Sequence, residues 1–429
     1  MKILHITTSN KGGAGVAAVR LHNALVENGV DSKLLSLVQF PSNIKEQYLF
    51  RPEDCSAFPK LVRIKLLILK ILKRLNVYQS IHERLTKRNL KNQPKGFEHF
   101  SFPYSEYNIG KHPLVKDSDI IHLHWVSDGF LDYERFFRNC TKKLVWTLHD
   151  MNPFTGGCHH SDGCIKFETT CSICPQLKNT IDENFSAKLL VVKKKAFSNI
   201  DNKQLKIVTP SEWLANLSKK SNLFQRFDHH TIYNGVNTEI FKINDKIQSR
   251  KKLGLPEDKK ILLFVSHTVS NLRKGINYLV DALSSIDQTK NIMICSVGAK
   301  PEGLLSDFKC INFGYISDEQ KMAEIYSAAD VFVLPSIAEN FPNTICEALL
   351  CGTPVVAFNV GGIPEQINHS NGRMARLFNA QEFKNSIVDV LKNQSDFIPK
   401  LISERAKEQF DQIVTTNKYI YLYNQLLNQ

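Results

Sequence analysis

The sequence contains no uninterrupted apolar run of about 18 residues, the length a membrane-spanning helix requires. It shows no self-similarity at a period of about 20–50 residues, which excludes a solenoid or propeller. Met1 leads directly into "KILHITT", with no basic n-region and no small-residue cleavage site, so no secretory leader is expected. Ten cysteines without such a leader fit a reducing cytosol better than a set of disulfides. Acid is in short supply: 42 Asp+Glu stand against 55 Lys+Arg, a formal net charge of +13. That excess raises the question of nucleic acid. Yet there is no RNA-binding motif and no zinc-finger histidine pair, so no nucleic-acid partner is expected.

The positive charge is confined to one part of the chain. Residues 1–250 carry 37 Lys+Arg and 23 Asp+Glu, whereas residues 251–429 carry 18 and 19. Only the first part is therefore suited to an anionic partner. Within it, residues 59–91 hold ten Lys/Arg and the single acid Glu83. Leu61, Ile64, Leu67, Ile68, Ile71, Leu72 and Leu75 recur there at helical spacing, interrupted by Lys65, Lys70 and Lys73. A basic amphipathic helix over 59–91 lying on an anionic membrane surface fits this pattern. A helix packed on its own domain with a solvated basic face fits it too.

Secondary-structure signals repeat in two series. "KILHITT" is an apolar strand, "NKGGAG" a glycine loop, "VAAVRLHNALVENG" an amphipathic helix and "SKLLSLV" the next strand. That order is the βαβ unit of a doubly wound sheet. Apolar runs at 119–125, 143–150, 205–211 and 229–235 extend the series. After the polar stretch 244–260 it restarts with "ILLFVS", "NIMICSVG", "DVFVLPS" and "TPVVAFN". The expected class is α/β, with two Rossmann-like doubly wound domains. The first covers 1–243 and includes the basic helix 59–91 and a cysteine-rich insertion at 156–175. A connection at 244–260 leads to the second domain, 261–400. A terminal helix at 401–429 carries an aromatic stripe suited to core packing, and is a candidate to pack back on the first domain.

The densest chemistry is in "DVFVLPSIAENFPNTICEALLCGTPVVAFNVGGIPE" (330–365). A strand ends at Pro335-Ser336, a loop follows, and a helix starts near Asn343 and Thr344. A helix N-terminus offers backbone N–H groups and partial positive charge to a phosphate. Glu339 on the loop and Glu347 in the helix can each accept from vicinal sugar hydroxyls. A nucleotide-sugar site fits, and a helix cap with one exposed glutamate fits the spacing as well.

These residues resemble the family 4 (group 1) retaining glycosyltransferases of the GT-B fold, in which two Rossmann-like domains face each other across a cleft. "KGGAG" (11–15), "LHD" (148–150), "IYNGVNTEIF" (232–241) and "NLRKGINYLVDAL" (271–283) match further elements of that family. The resemblance is weakest over 40–118. It implies that Glu347 binds the ribose hydroxyls and that Glu339 with the loop amides of Asn340, Phe341, Pro342 and Asn343 holds the donor sugar, with Thr344 at the helix N-terminus as a further nucleotide-sugar contact. It also implies that Arg273 and Lys274 neutralise the diphosphate, that His149 contacts the transferred sugar or orients the reacting centre, and that Asp150 holds its ring. Gly13, Ala14 and Gly15 would place backbone amides near the diphosphate and the acceptor. A cation about 4 Å from the leaving phosphate is worth about 4 kcal/mol at an effective dielectric of about 20. Preorganised positive charge therefore suffices for departure, and no catalytic metal is required. One departure from the family pattern is Ser266-His267 where Gly-Arg is usual.

The implied reaction moves a sugar, with retention, from a nucleoside-diphosphate sugar to a glycan or lipid-linked glycan in bacterial surface polysaccharide synthesis. The protein would be cytoplasmic, with a peripheral position on the inner leaflet. Two other readings differ in class. One is a non-catalytic nucleotide-sugar-binding subunit of a synthase. The other is an NAD-linked dehydrogenase, because Gly13-x-Gly15-x-x-Ala18 matches G-x-G-x-x-A, although "KLLSLVQF" lacks the acid that fingerprint wants. His122 and His124 in "HLHW" alternate along a strand, one of them expected in the core and neither assigned. Finally, Cys158, Cys164, Cys171 and Cys174 in "GGCHHSDGCIKFETTCSICP" suit a closed structural zinc site, with His159 or His160 as substitute ligands. Free thiols or two disulfides are the alternatives.

Overall fold

The computed structural model describes residues 1–40, 44–93, 99–178, 180–266, 271–286, 291–300 and 308–429. They form two compact units, Met1–Ile232 with Thr416–Gln429, and Tyr233–Thr415.

The first unit is built on a parallel sheet of seven strands: β1 (Lys2–Ser9), β2 (Asp31–Val38), β3 (Gln47–Leu49), β4 (Ile120–Leu123), β5 (Lys143–Thr147), β6 (Leu205–Thr209) and β7 (Asp228–Thr231). Their order is β3-β2-β1-β4-β5-β6-β7. The chain reverses its direction of travel between β1 and β4, which pair in register with Ile3 beside Ile120 and His5 beside His122. In open parallel sheets, ligands bind at the carboxyl ends of strands beside such a switch. All residues of β4 and β6 are buried, as parallel strands covered on both faces require.

The second unit repeats the plan with β8 (Lys260–Ser266), β9 (Ile292–Gly298), β10 (Cys310–Asn312), β11 (Val331–Leu334), β12 (Val355–Phe358) and β13 (Gly372–Ala375). The order is β10-β9-β8-β11-β12-β13, again parallel, with the switch between β8 and β11. A buried ion pair fixes the start of this sheet. Arg250 reaches Asp330 at 2.7 Å, and the same Asp330 oxygen accepts from the Ile261 N–H at 2.7 Å.

Three sequence expectations need correction. The glycine stretch is not a free loop, because helix α1 (Gly12–Glu27) already begins at Gly12. A side chain at position 15 would put its Cβ 2.5 Å from the Ser9 carbonyl oxygen, so Gly15 is what lets α1 start so close to the end of β1. The basic segment is two helices, α2 (Pro59–Arg74) and α3 (Ile81–Asn89), not one. Asn76 takes a left-handed φ of 57°, and a Ser80–Glu83 capping box restarts the chain as α3. The terminal segment is likewise two helices, Pro399–Phe410 and Gln412–Leu427, separated at Asp411. Tyr419 and Tyr423 of the last helix are buried against Ile3, Leu25 and Val145 in the first unit's core.

Candidate active site

In the second unit the site residues gather at the carboxyl end of β11. The chain leaves the strand through Pro335-Ser336, crosses a loop, and enters the helix Asn343–Leu350. Two glycines from other segments press on this connection. Gly275 has φ 65°, and a Cβ there would lie 1.9 Å from the Pro335 carbonyl oxygen. Gly361 has φ 57°, and a Cβ there would lie 1.7 Å from the Glu339 carbonyl oxygen. Only glycine permits both the left-handed conformation and the contact.

Gly275 ends the short turn Leu272–Lys274, so its approach delivers two cations to Glu339. Arg273 Nη1 lies 2.9 Å and Lys274 Nζ 2.7 Å from the same oxygen, Oε1. Arg273 also donates to the Ala338 carbonyl at 2.7 Å, and its own carbonyl accepts from the Ile337 N–H. The cluster thus holds two cations against one carboxylate, all three mostly buried, a surplus of one positive charge.

Glu347 sits inside the helix and accepts from the Tyr326 hydroxyl at 2.9 Å. Phe341 stacks on Tyr233 with ring centroids 4.9 Å apart, while Asn234 donates to the Asn343 side chain at 2.8 Å. The Asn340 carbonyl accepts from the Gly362 N–H, and Pro342 precedes the first helical residue without a side-chain cap. Thr344 follows in the first turn, half-buried. The structure therefore brings the Arg273-Lys274 turn against the connection that carries Glu339–Thr344 and leads into the helix of Glu347. Ser266 closes β8, whereas His267 lies outside the described residues.

In the first unit, His149 follows β5 and is partly exposed. Its ring is bonded by a residue the sequence left unassigned: His124 Nδ1 lies 3.2 Å from His149 Nε2. His124 Nε2 in turn lies 2.9 Å from His5 Nδ1. Burial, partly opposed by Asp150, pushes His149 down to about 4, so the ring is neutral at physiological pH. His5, His122 and His124 are held well below the ordinary histidine range by burial. His122 and His124 are both buried, contrary to the expectation that one faces the core. Residues two apart on a strand share a face.

Asp150, expected to hold the His149 ring, bonds three other groups. Its Oδ2 accepts from Trp125 at 2.8 Å and bonds His159 Nδ1 at 2.6 Å, and its Oδ1 accepts from the Asn152 N–H. Burial opposes its ionisation, but His159 and the N–H outweigh that and hold the carboxyl down to about 2. His159 spends its other nitrogen on Ser101 at 2.9 Å, which removes it from the list of substitute metal ligands.

The four cysteines line one small cavity of about 20 Å³ together with Phe167, Gln176 and Ser186. All ten cysteines of the chain are thiols. Burial raises Cys158 and Cys174 and pushes Cys171 up to about 11. In a tetrahedral zinc–thiolate site neighbouring sulfurs stand about 3.8 Å apart. Among the described residues, the group of three ligand atoms within 4.8 Å of one another is His5, His122 and His124, not these sulfurs. Beneath the loop, Lys193 is fully buried and donates to the Asn152 and Thr155 carbonyls; burial brings it down to about 8. No sequence signal marked that lysine, which lies mid-helix among other basic residues.

Comparison with known proteins adds the family. Residues 259–393 match the family model "Glycosyl transferases group 1". An uncharacterized glycosyltransferase of Methanocaldococcus jannaschii is 34% identical over 154 residues, 32% of this chain and 38% of that protein. WcaC of Escherichia coli K12, a glycosyl transferase named for colanic acid biosynthesis, is 25% identical over 292 residues, 65% of this chain and 67% of its own length. Among solved structures, Anabaena HepE in complex with UDP superimposes with a TM-score of 0.61 at 18% identity, covering 99% of this chain and 100% of that one. The two parallel sheets and this likeness establish the GT-B fold.

Proposed function

The chain belongs with the group 1 glycosyltransferases through its domain at 259–393, and from that premise we propose that it transfers a sugar from a nucleoside-diphosphate sugar to a glycan or lipid-linked glycan of a bacterial surface polysaccharide. The observation that carries the proposal is the convergence of Arg273 and Lys274 on Glu339 at the carboxyl end of β11. Anabaena HepE, solved in complex with UDP and with UDP-glucose, supports a uridine nucleotide as the first donor to try.

In the proposed reaction the bond between the sugar's anomeric carbon and the diphosphate oxygen breaks, and the acceptor oxygen bonds that carbon from the same face. The departing phosphate accepts the hydroxyl proton. Arg273 and Lys274 stabilise the charge that grows on the leaving group. Glu339 and the Asn340–Thr344 segment hold the sugar, and Glu347 takes the ribose hydroxyls. His149, with the Gly13-Ala14-Gly15 turn, serves the transferred sugar and the acceptor. Nucleotide release from a panel of nucleotide sugars, with and without Glu339→Ala, tests this. Equally slow release by both proteins with every donor would favour a non-catalytic binding subunit instead.

Two further roles belong to the same proposal. Helix α2 buries none of its residues and exposes Leu61, Ile64, Leu67, Ile68 and Ile71 beside six Lys/Arg, which supports a peripheral seat on the anionic cytoplasmic leaflet. No helix among the described residues is long and apolar enough to cross a membrane. Flotation that is equal with anionic and neutral vesicles would count against this seat. The cysteine cavity is assigned one structural zinc ion, because four thiols line a single space. Binding there requires the sulfurs to draw inward and to lose their protons.

A further inference from the structure

Three imidazoles form a continuous chain through the first unit. It runs from His149 after β5, through His124 after β4, to His5 in the middle of β1. The rings of His124 and His149 are stacked at 5.5 Å, and those of His5 and His124 at 5.2 Å. A neutral imidazole has one N–H and one lone pair. Two hydrogen bonds linking three neutral rings therefore allow only two polarities. In one, protons sit on every Nε2, and the chain ends in a His5 Nε2–H. In the other, protons sit on every Nδ1, and it ends in a bare His5 Nε2.

The far end of the chain decides between them. His5 Nε2 is buried and has no hydrogen-bond partner among the described residues. The neighbouring histidines cannot supply one. His122 uses both nitrogens, on Tyr423 at 2.7 Å and Thr147 at 2.8 Å. His22 uses both on Ser32 and the Lys45 carbonyl, each at 2.8 Å. A buried N–H without an acceptor is rarer in proteins than an under-used acceptor. The second polarity follows: His5 Nδ1–H donates to His124, and His124 Nδ1–H donates to His149 Nε2.

We propose that His5 and His124 are positioning residues that fix His149 as the neutral Nδ1–H tautomer, so that neither nitrogen of the His149 ring is left to act as a base. The service of this ring to the transferred sugar rests on the transferase reading above; the tautomer does not. A metal ion on His5, His122 and His124 is the competing use of this cluster. It would need nitrogens already committed to Tyr423, Thr147 and to the His5–His124 bond.

The test is nitrogen NMR of the whole chain carrying 15N-labelled histidine, with the His149 signals identified by their loss in His149→Gln. The expected spectrum shows His149 with Nδ1 protonated and Nε2 bare at neutral pH. An Nε2–H form in the wild type overturns the proposal, as does one equivalent of tightly bound metal that disappears in His5→Leu. His5→Asn, whose amide donates from near the Nδ1 position, should keep the tautomer. His5→Leu should release it and lower kcat about tenfold with little change in donor KM. If His5→Leu does not fold, the wild-type and His5→Asn spectra still decide. An Nδ1–H His149 in a protein that transfers no sugar would overturn the functional reading alone.

Discussion

Lys274 Nζ lies 2.7 Å from the Glu339 carboxylate oxygen that Arg273 also contacts, so one acid partly neutralises two cations. Removing the negative charge while keeping the shape separates two effects. Glu339→Gln is expected to tighten UDP binding, by about tenfold for about 1.4 kcal/mol of unmasked attraction, while turnover falls about a hundredfold as the sugar exchanges a charged acceptor for a neutral amide oxygen. Calorimetry with UDP and initial rates check the two halves. Weaker UDP binding in Glu339→Gln would show that the carboxylate organises the cations more than it screens them.

Gly361→Ala and Gly275→Ala should act on the same connection through its backbone. Each new methyl would meet a carbonyl oxygen at under 2 Å in a left-handed conformation. The expected cost is on the order of 1–3 kcal/mol of strain and loss of UDP binding, read from urea midpoints and calorimetry. Wild-type stability and binding in Gly361→Ala would mean that the loop relaxes without consequence.

The Tyr326 hydroxyl bonds Glu347 in a buried setting. Tyr326→Phe should cost about 1 kcal/mol of stability and raise donor KM several-fold, because Glu347 loses a group that orients it. An unchanged KM with lowered stability would assign the bond to folding only.

Acid should destabilise the first unit from mildly acidic pH. His149 is pushed down to about 4, below its ordinary value of 6.5, so the unfolded chain binds more protons between those values. Stability is then full above pH 6.5 and declines as pH falls toward 4, on the order of 1 kcal/mol per pH unit for each such group. His5, His122 and His124 add in the same direction. Asp150, depressed to about 2, adds a second decline that begins below about pH 4. Thermal melts from pH 7 to 3 measure both, and a flat melting temperature from pH 7 to 5 would refute the first.

Metal analysis of protein purified without chelators checks the cysteine cavity. About one equivalent of zinc is expected, lost in Cys171→Ser. Below a tenth of an equivalent, the four residues are structural thiols.

Much of the fold was legible because burial writes itself into composition. "KILHITT" and "DVFVLPS" are nearly all apolar because parallel strands are covered on both faces, and they are β1 and β11. Local spacing also marked Glu339 and Glu347 as candidates, whereas the Arg273-Lys274 pair came only with the family resemblance. Boundaries set by a single backbone angle were not legible. Asn76 splits a continuous basic, amphipathic pattern that reads as one helix. Nor could local pattern show that Gly12 is already helical, since the reason is the close approach of Gly15 to Ser9.

By itself the sequence determined two doubly wound halves, a basic first half, and which short stretches carry carboxylates, cations and thiols. Only tertiary structure decided which of these meet. Lys274 and Glu339 are 65 positions apart, and His5 and His124 are 119 apart. The parallel register places His5 beside His122, and so brings β1 and the end of β4 together. Composition fixes how much is buried, but partners at such separation are set by strand order and register, which no local spacing encodes.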